Sequence, residues 1–162
     1  DNVAVSKITP ELSPFILDRL EPGEHLITLK RTAEFSSTYS TFNRLLTFEE
    51  NSAVVISYNI GPDEVFSEGH VIYTTKKENI SGESKLNINL NTQDFNFTYD
   101  GLPIEKVNGT AKSVDLDFNS QHKIRISKIG YESLEFSILP EIQSDRDKLK
   151  GSDLNVDVQL IQ

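Results

Sequence analysis

KLNINLNTQDFNFTYDG, residues 85–101, alternates apolar and polar side chains in two runs that a short polar break separates. Leucine and isoleucine alternate with asparagine over 86–91, and aromatic residues take every second position over 95–99. A period of two places the apolar side chains on one face of a strand and the polar ones on the other. The Asp100-Gly101 pair that follows favours a tight hairpin, because both residues tolerate positive φ.

The same alternation recurs along the chain and predicts an all-β fold, an antiparallel β-sandwich-like structure. It covers residues 54–60, 114–118, 124–126, 134–138 and 154–160. We expect the last of these runs to be buried and to pair with a strand such as 134–138. Asn108-Gly109 predicts a second hairpin.

Helix signals are sparse. Residues 10–20 allow a helical turn near Pro14, and residues 141–150 predict a short helix with Ser144 as N-cap and a stop at Gly151. Residues 35–48 fit neither a period of two nor one of 3.6, and we interpret them as a strand or loop.

A change in composition marks a candidate domain boundary. KKENISGES, residues 76–84, is charged and then rich in serine and glycine, and it joins two groups of predicted strands. We predict two related β modules in tandem, 1–80 and 81–162. The alternative is one continuous sandwich in which this segment is a long connection.

Composition narrows the classes of partner. The 162 residues carry a formal net charge of -9, which disfavours nucleic acid and anionic membrane surfaces. Cysteine is absent, so disulfides and thiolate chemistry are excluded. Methionine is also absent and the sequence begins at Asp1, so we expect an excised mature portion whose leader or lipid anchor has been removed. No apolar stretch approaches the length of a membrane span.

All three histidines occupy one local position, after a polar turn and before an apolar run closed by lysine or arginine. They lie in PGEHLITLKR (22–31), SEGHVIYTTK (67–76) and NSQHKIRISK (119–128). A shared metal site is one interpretation, since imidazoles of neighbouring strands can bind one ion. The repeated context explains His25, His70 and His122 as half-exposed strand-start residues, and we expect no metal and no cofactor.

Parts of the chain resemble PEGA domains, short β modules of bacterial envelope and secreted proteins. FTYDGLPI (97–104) is similar to their first hairpin, and HKIRISKIGYESLEFSI (122–138), with its Gly130-Tyr131 pair, to their second half. ITPELSPFILDRLEPGEHLITLKR (8–31) resembles the middle of the domain, without the flanking Asp-Gly and Gly-Tyr pairs. The second unit has Asn119-Ser120 where the family has a Pro-Gly turn. The resemblance implies a non-enzymatic binding or structural module outside the cytoplasm.

Two groups of residues are candidates for ligand binding. The first is a basic stripe that would suit an acidic partner, comprising Lys123, Arg125 and Lys128, with Lys112 as a further member. Its alternative is ordinary protection of an edge strand by lysine. The second is an aromatic face that would suit a sugar, comprising Tyr39, Tyr58 and Tyr73, with Phe42 beside them. The alternative is that these aromatic residues pack in the hydrophobic core.

The residues predict a non-enzymatic, extracytoplasmic β module of a bacterial envelope protein, structural or adhesive through protein or glycan contacts. Its place would be the periplasm or the cell surface, with a membrane attachment only through a removed anchor. The composition also resembles that of spirochaetal surface lipoproteins. The alternative is a carboxylate-based hydrolase of envelope polysaccharide that uses a carboxylate pair as acid and base. The candidate pairs, which a solvated surface also explains, are Glu49-Glu50, Asp63-Glu64, Asp115 with Asp117, Asp145 with Asp147, and Asp153 with Asp157. No serine-nucleophile motif or phosphate-binding loop is present in the sequence.

Overall fold

A computed structural model describes residues 16–17, 20–31, 38–77 and 81–162, without the side chains of 103–105. The predicted helical turn over 10–20 lies largely outside these residues. The elements are β1 (Gly23–Lys30), β2 (Thr41–Phe48), β3 (Val54–Asn59), a 3-10 helix (Glu64–Phe66), β4 (Glu68–Lys76), β5 (Ser84–Leu90), β6 (Phe95–Tyr99), β7 (Leu102–Val107), β8 (Ala111–Leu116), β9 (His122–Ser127), β10 (Leu134–Ile138), α1 (Gln143–Leu149) and β11 (Ser152–Gln159).

The strands form three sheets, which confirms the predicted all-β, sandwich-like fold. The large sheet has five strands in the order β3-β4-β11-β5-β8, and the small sheet has four in the order β10-β9-β6-β7. The third sheet is the β1–β2 hairpin. All pairings are antiparallel except that of β11 with β5, which is parallel.

The core lies between the large and the small sheet. Alternate residues of β5, β11, β6 and β9 point into it, as their period of two predicts. Leu86, Phe95, Ile124 and Val156 have no exposed surface at all. Burying each such side chain contributes roughly 1.5–3 kcal/mol. This cluster therefore supplies most of the apolar burial that stabilises the sandwich.

The β1–β2 hairpin packs on the outer face of the large sheet. Its Phe42 ring lies 4.6 Å, centroid to centroid, from the ring of Tyr58 on β3. Its Arg44 guanidinium forms a salt bridge with Asp157 on β11. The opposite face of the hairpin is solvated and carries an exposed pair, Leu26 opposite Leu45.

The two predicted turns behave differently. Asp100 and Gly101 both have positive φ, 50° and 76°, and join β6 to β7 as a hairpin, as expected. The hairpin predicted at Asn108-Gly109 is wrong, because β7 belongs to the small sheet and β8 to the large one. This turn therefore carries the chain from one sheet to the other. Within it, Gly109 has a φ of 105°, and its N–H donates to the Asp94 carboxylate at 3.1 Å.

The predicted helix over 141–150 is present as α1, and Gly151 with a φ of 91° follows it as expected. The prediction that Ser144 is the N-cap is wrong. The cap is Ile142, which makes no side-chain capping bond. The buried Arg146 guanidinium instead donates to the carbonyls of Pro140, at 2.7 Å, and Phe118, at 3.1 Å, which ties the helix to the loops before it.

The last strand is buried, as predicted, but its predicted pairing with 134–138 is wrong. β11 lies between β4 and β5 in the large sheet, whereas residues 134–138 form β10 at the edge of the small sheet. Helix α1 carries the chain from one sheet to the other between them. The boundary proposed near residue 80 also falls inside the large sheet, since β4 and β5 flank β11. The division into modules 1–80 and 81–162 stays a prediction, and it does not coincide with a division between sheets.

Candidate binding groove

A groove of about 580 Å³ lies between the hairpin and the outer face of the large sheet. Strand β2 forms one wall through residues 41–44, and the loop around the 3-10 helix closes one end. The floor is made by the outward side chains of Asn89 and Asn91, at the end of β5, and of Asp157 and Gln159 on β11, together with Val71 of β4. Its size lies within the range of small-ligand sites, about 300–1,000 Å³.

Where the hairpin meets the large sheet, the groove combines an aromatic pair with one ion pair. Phe42 and Tyr58 are both half-buried and line the groove. Burial raises the pKa of the Tyr58 hydroxyl, and the neighbouring Glu64 carboxylate raises it further. Arg44 bridges the wall to the floor through Asp157. The groove therefore offers an apolar surface beside fixed polar groups.

The floor is rich in amide side chains. Asn89 Nδ2 donates to Asp157 Oδ1 at 3.0 Å, and Asn91 forms two bonds with the backbone of Leu160, at 2.9 and 3.0 Å. Gln159 Nε2 donates to the carbonyl of Glu64 at 3.1 Å, which joins β11 to the 3-10 helix. These bonds hold the amides in place in the strands, so the floor is preorganised.

The predicted aromatic face is only partly assembled. Tyr58 lines the groove, and Phe42 packs against it. Tyr39 lies instead beneath the Arg31 guanidinium, 4.3 Å from its ring centroid. Tyr73 is half-buried on β4, where burial and the Asp157 carboxylate raise the pKa of its hydroxyl. Tyr39 and Tyr73 are not among the lining residues, and their predicted binding role stays a prediction.

The structure does not bring the predicted basic stripe together. Lys123 and Arg125 are exposed on the outer face of β9, where Lys123 pairs with Glu135 at 2.6 Å. Lys128 donates to the Thr92 hydroxyl and the Gln93 carbonyl, both at 2.6 Å. Lys112 belongs to β8 of the other sheet. Lys123 and Arg125 are neighbours on one face, and the binding role of the three predicted cations stays a prediction.

The three histidines lie in three separate environments, and each packs against an aromatic ring. His25 meets Phe48 edge-on at 5.4 Å, and it remains half-exposed as predicted. His70 stacks on Phe136 at 4.0 Å, and His122 on Tyr99 at 4.7 Å. The expectation of half-exposure is wrong for these two, which are buried between the sheets and at the start of β9. In the part of the chain described, no three His, Asp or Glu side chains are grouped to hold a metal ion.

Burial and hydrogen bonding distinguish the two buried histidines. Burial lowers the pKa of His70 to about 4, and its Nδ1 has no hydrogen-bond partner within the described residues. His122 Nδ1 lies 2.7 Å from Asp100 Oδ2, and Nε2 lies 3.1 Å from the Asp117 carbonyl. Burial raises the pKa of Asp100, but the hydrogen bonds from His122 and the Lys123 N–H outweigh this and lower it overall. Both histidines thus link elements of the sandwich.

Most candidate acid–base carboxylates are engaged on the surface. Asp145 and Asp147 pair with Lys148 and Lys150 along α1, each at 2.6 Å. Asp153 accepts from the Lys85 N–H at 2.7 Å. Asp157, in the groove, accepts from both Arg44 and Asn89.

Sequence reasoning missed the amide floor and the role of Arg44. Alternation assigns the asparagines of 87–91 to a polar face without distinguishing bulk solvent from a groove, although residues 155–159 carry a matching polar series on β11. Two polar series of equal spacing could have suggested paired strands. Arg44 lies in a segment whose structure the sequence left open.

In the described residues, no helix is both long and apolar enough to cross a membrane. No protein-family model, curated protein or solved structure matches this chain, and its resemblance to PEGA domains therefore stays a prediction carried by its own residues.

Proposed function

We propose that this chain is a non-enzymatic, extracytoplasmic β module of a bacterial envelope protein that binds a neutral glycan in the groove. The observation that carries the proposal is the pairing of an aromatic wall, Phe42 and Tyr58, with the amide floor of Asn89 and Gln159. Aromatic rings contact the apolar faces of sugars, and amides hydrogen-bond hydroxyls as donors and acceptors.

Charge favours a neutral ligand over an acidic one. Among the described residues, those that line the groove include one cation, Arg44, and two carboxylates, Glu64 and Asp157, within a chain of net charge -9. Because Arg44 is already paired with Asp157, an incoming carboxylate or phosphate would compete with an existing ion pair.

The same geometry supports binding over hydrolysis. A glycosidase needs two carboxyl groups free to exchange protons or attack the sugar. Asp157 would have to leave both Arg44 and Asn89 to take either part. The extracytoplasmic setting is supported by the resemblance of 97–104 and 122–138 to envelope modules.

Titration calorimetry with the hexamer of N-acetylglucosamine tests the proposal. We expect saturable binding that Asn89→Ala weakens by about tenfold, equivalent to about 1.4 kcal/mol. Asn96→Ala is the matched control, because Asn96 is exposed on β6 of the small sheet and does not line the groove. Lack of binding, or equal affinity for Asn89→Ala, would overturn the proposal. Shorter products in the incubated mixture would favour the hydrolase alternative instead.

A further inference from the structure

The groove floor continues along β5 and β11 as a double row of polar side chains, which we call the amide track. It comprises Asn87, Asn89, Asn91, Asn155, Asp157 and Gln159. The two strands are parallel, with Asn87 opposite Asn155 and Asn89 opposite Asp157. Asn87 Nδ2 donates to Asn155 Oδ1 at 3.2 Å, which repeats the 3.0 Å bond from Asn89 to Asp157 one step further along.

The amides of the track keep hydrogen-bonding capacity beyond these bonds. A primary amide has two N–H donors and two acceptor lone pairs. Asn155 donates one N–H to Thr75 at 2.9 Å and accepts one bond from Asn87. Asn87 donates that one bond and accepts one from Ser113 at 2.8 Å. Each of these bonds uses one of the two donors or one of the two acceptor lone pairs of an amide. The bonds therefore orient the amides and leave each of them able to hydrogen-bond a ligand.

The track extends past the hairpin. The contacts of the hairpin reach β3 through Tyr58 and β11 through Asp157. On β5, Asn89 is exposed and Asn87 is half-exposed, and Asn91, directly after the strand, is exposed. Of the three, Asn87 is outside the groove lining. Alternate residues of a strand are about 6.6–6.8 Å apart, so the three asparagines span about 13 Å. This length exceeds that of a single sugar ring.

We infer that the ligand is a linear, neutral, N-acetylated glycan of several units, which runs from the groove along β5 and β11 over the amide track. The inference rests on the proposed function and deepens it. A row of amides offers the same kind of contact to successive units of a polymer, and an acetamide group pairs with an asparagine amide as both donor and acceptor. A single sugar would use only the groove and would not reach Asn87.

Calorimetric titration with the dimer and the hexamer of N-acetylglucosamine tests this directly. The hexamer should bind unmodified protein about tenfold more tightly than the dimer. Asn87→Ala should remove most of that advantage and leave dimer affinity within about twofold, since Asn87 lies beyond the groove. Asn96→Ala is again the matched control, because Asn96 is exposed on β6 of the small sheet and does not line the groove.

The outcomes separate the two proposals. Absence of binding by both oligomers overturns the proposed function. Equal affinity for dimer and hexamer leaves a groove-binding module but overturns the extended site, as does an Asn87→Ala variant that weakens both oligomers alike. If thermal unfolding shows that Asn87→Ala is not folded, Asn155→Ala, on the partner strand, takes its place with the same expectation.

Discussion

The β1–β2 hairpin and the sandwich beneath it share one sequence pattern but differ in how they are held. Inward residues of the sandwich such as Leu86 and Val156 are covered by the opposing sheet and have no exposed surface. In the hairpin, Leu46 is buried, while the rest of the inward face described is only half-buried. The same period of two therefore produces fully buried side chains where two sheets meet, and half-buried side chains in the hairpin, where only one face is covered. The groove lies along that weaker boundary.

The largest effect should come from placing a charge in the sandwich. Val156→Asp removes burial worth about 1.5–3 kcal/mol and leaves an unpaired charge between the sheets. Against a total stability of about 5–15 kcal/mol, we expect an unfolded or insoluble protein by circular dichroism and gel filtration. Gln159→Asp, on the outward face of β11, should cost about 1 kcal/mol for its bond to Glu64. Equal melting of Val156→Asp and the unmodified protein would contradict the position of β11 in the core.

A smaller effect, also confined to the sandwich, should follow from lowering the pH. The pKa of His70 falls from 6.5 to about 4 on folding, so its contribution to stability is complete above pH 6.5 and is lost as the pH falls toward 4. The loss should be about 3 kcal/mol, measured by urea unfolding across that range. His70→Phe should flatten this dependence, whereas His25→Gln, in the hairpin, should not. An unchanged slope in His70→Phe would show that another group is responsible.

The smallest effect should be local to the hairpin. Arg44→Ala removes the ion pair with Asp157, a partly exposed interaction worth about 1 kcal/mol. Hydrogen exchange of the β1 and β2 amides should become a few times faster, while β5, β6 and β9 keep their protection. Arg125→Ala, an exposed arginine on the small sheet, is the control. Unchanged exchange in the hairpin would show that the aromatic contact alone holds it.

The sequence predicts which face of each strand is buried better than it predicts which strands pair with each other. Alternation over 86–90 and 154–160 assigns the buried side of each strand, because that side depends only on local spacing. It does not reveal that β11 inserts between β4 and β5, since register and order depend on contacts between residues far apart in the chain. Asn108-Gly109 illustrates the same limit, because a turn signal specifies a reversal but not which sheet receives the next strand.

The groove was harder to predict for the same reason. Its residues come from segments 40–44, 58–71, 89–91 and 157–159, which meet only after both the hairpin and the large sheet have formed. Tyr58 was among the predicted binding residues because aromatic side chains are conspicuous in a sequence. Asn89 and Gln159 were not, because a polar residue on an alternating strand looks the same whether it faces bulk water or a groove.

The central position of β11 also constrains how the protein is made. Residues 152–159 occupy the middle of the large sheet, yet they come after all the other described strands in chain order. Until they leave the ribosome, β4 and β5 each present an unpaired edge that can template pairing with another chain. Once β4 and β5 have both been made, a nascent chain therefore holds two open strand edges, and the insertion of β11 closes both at once.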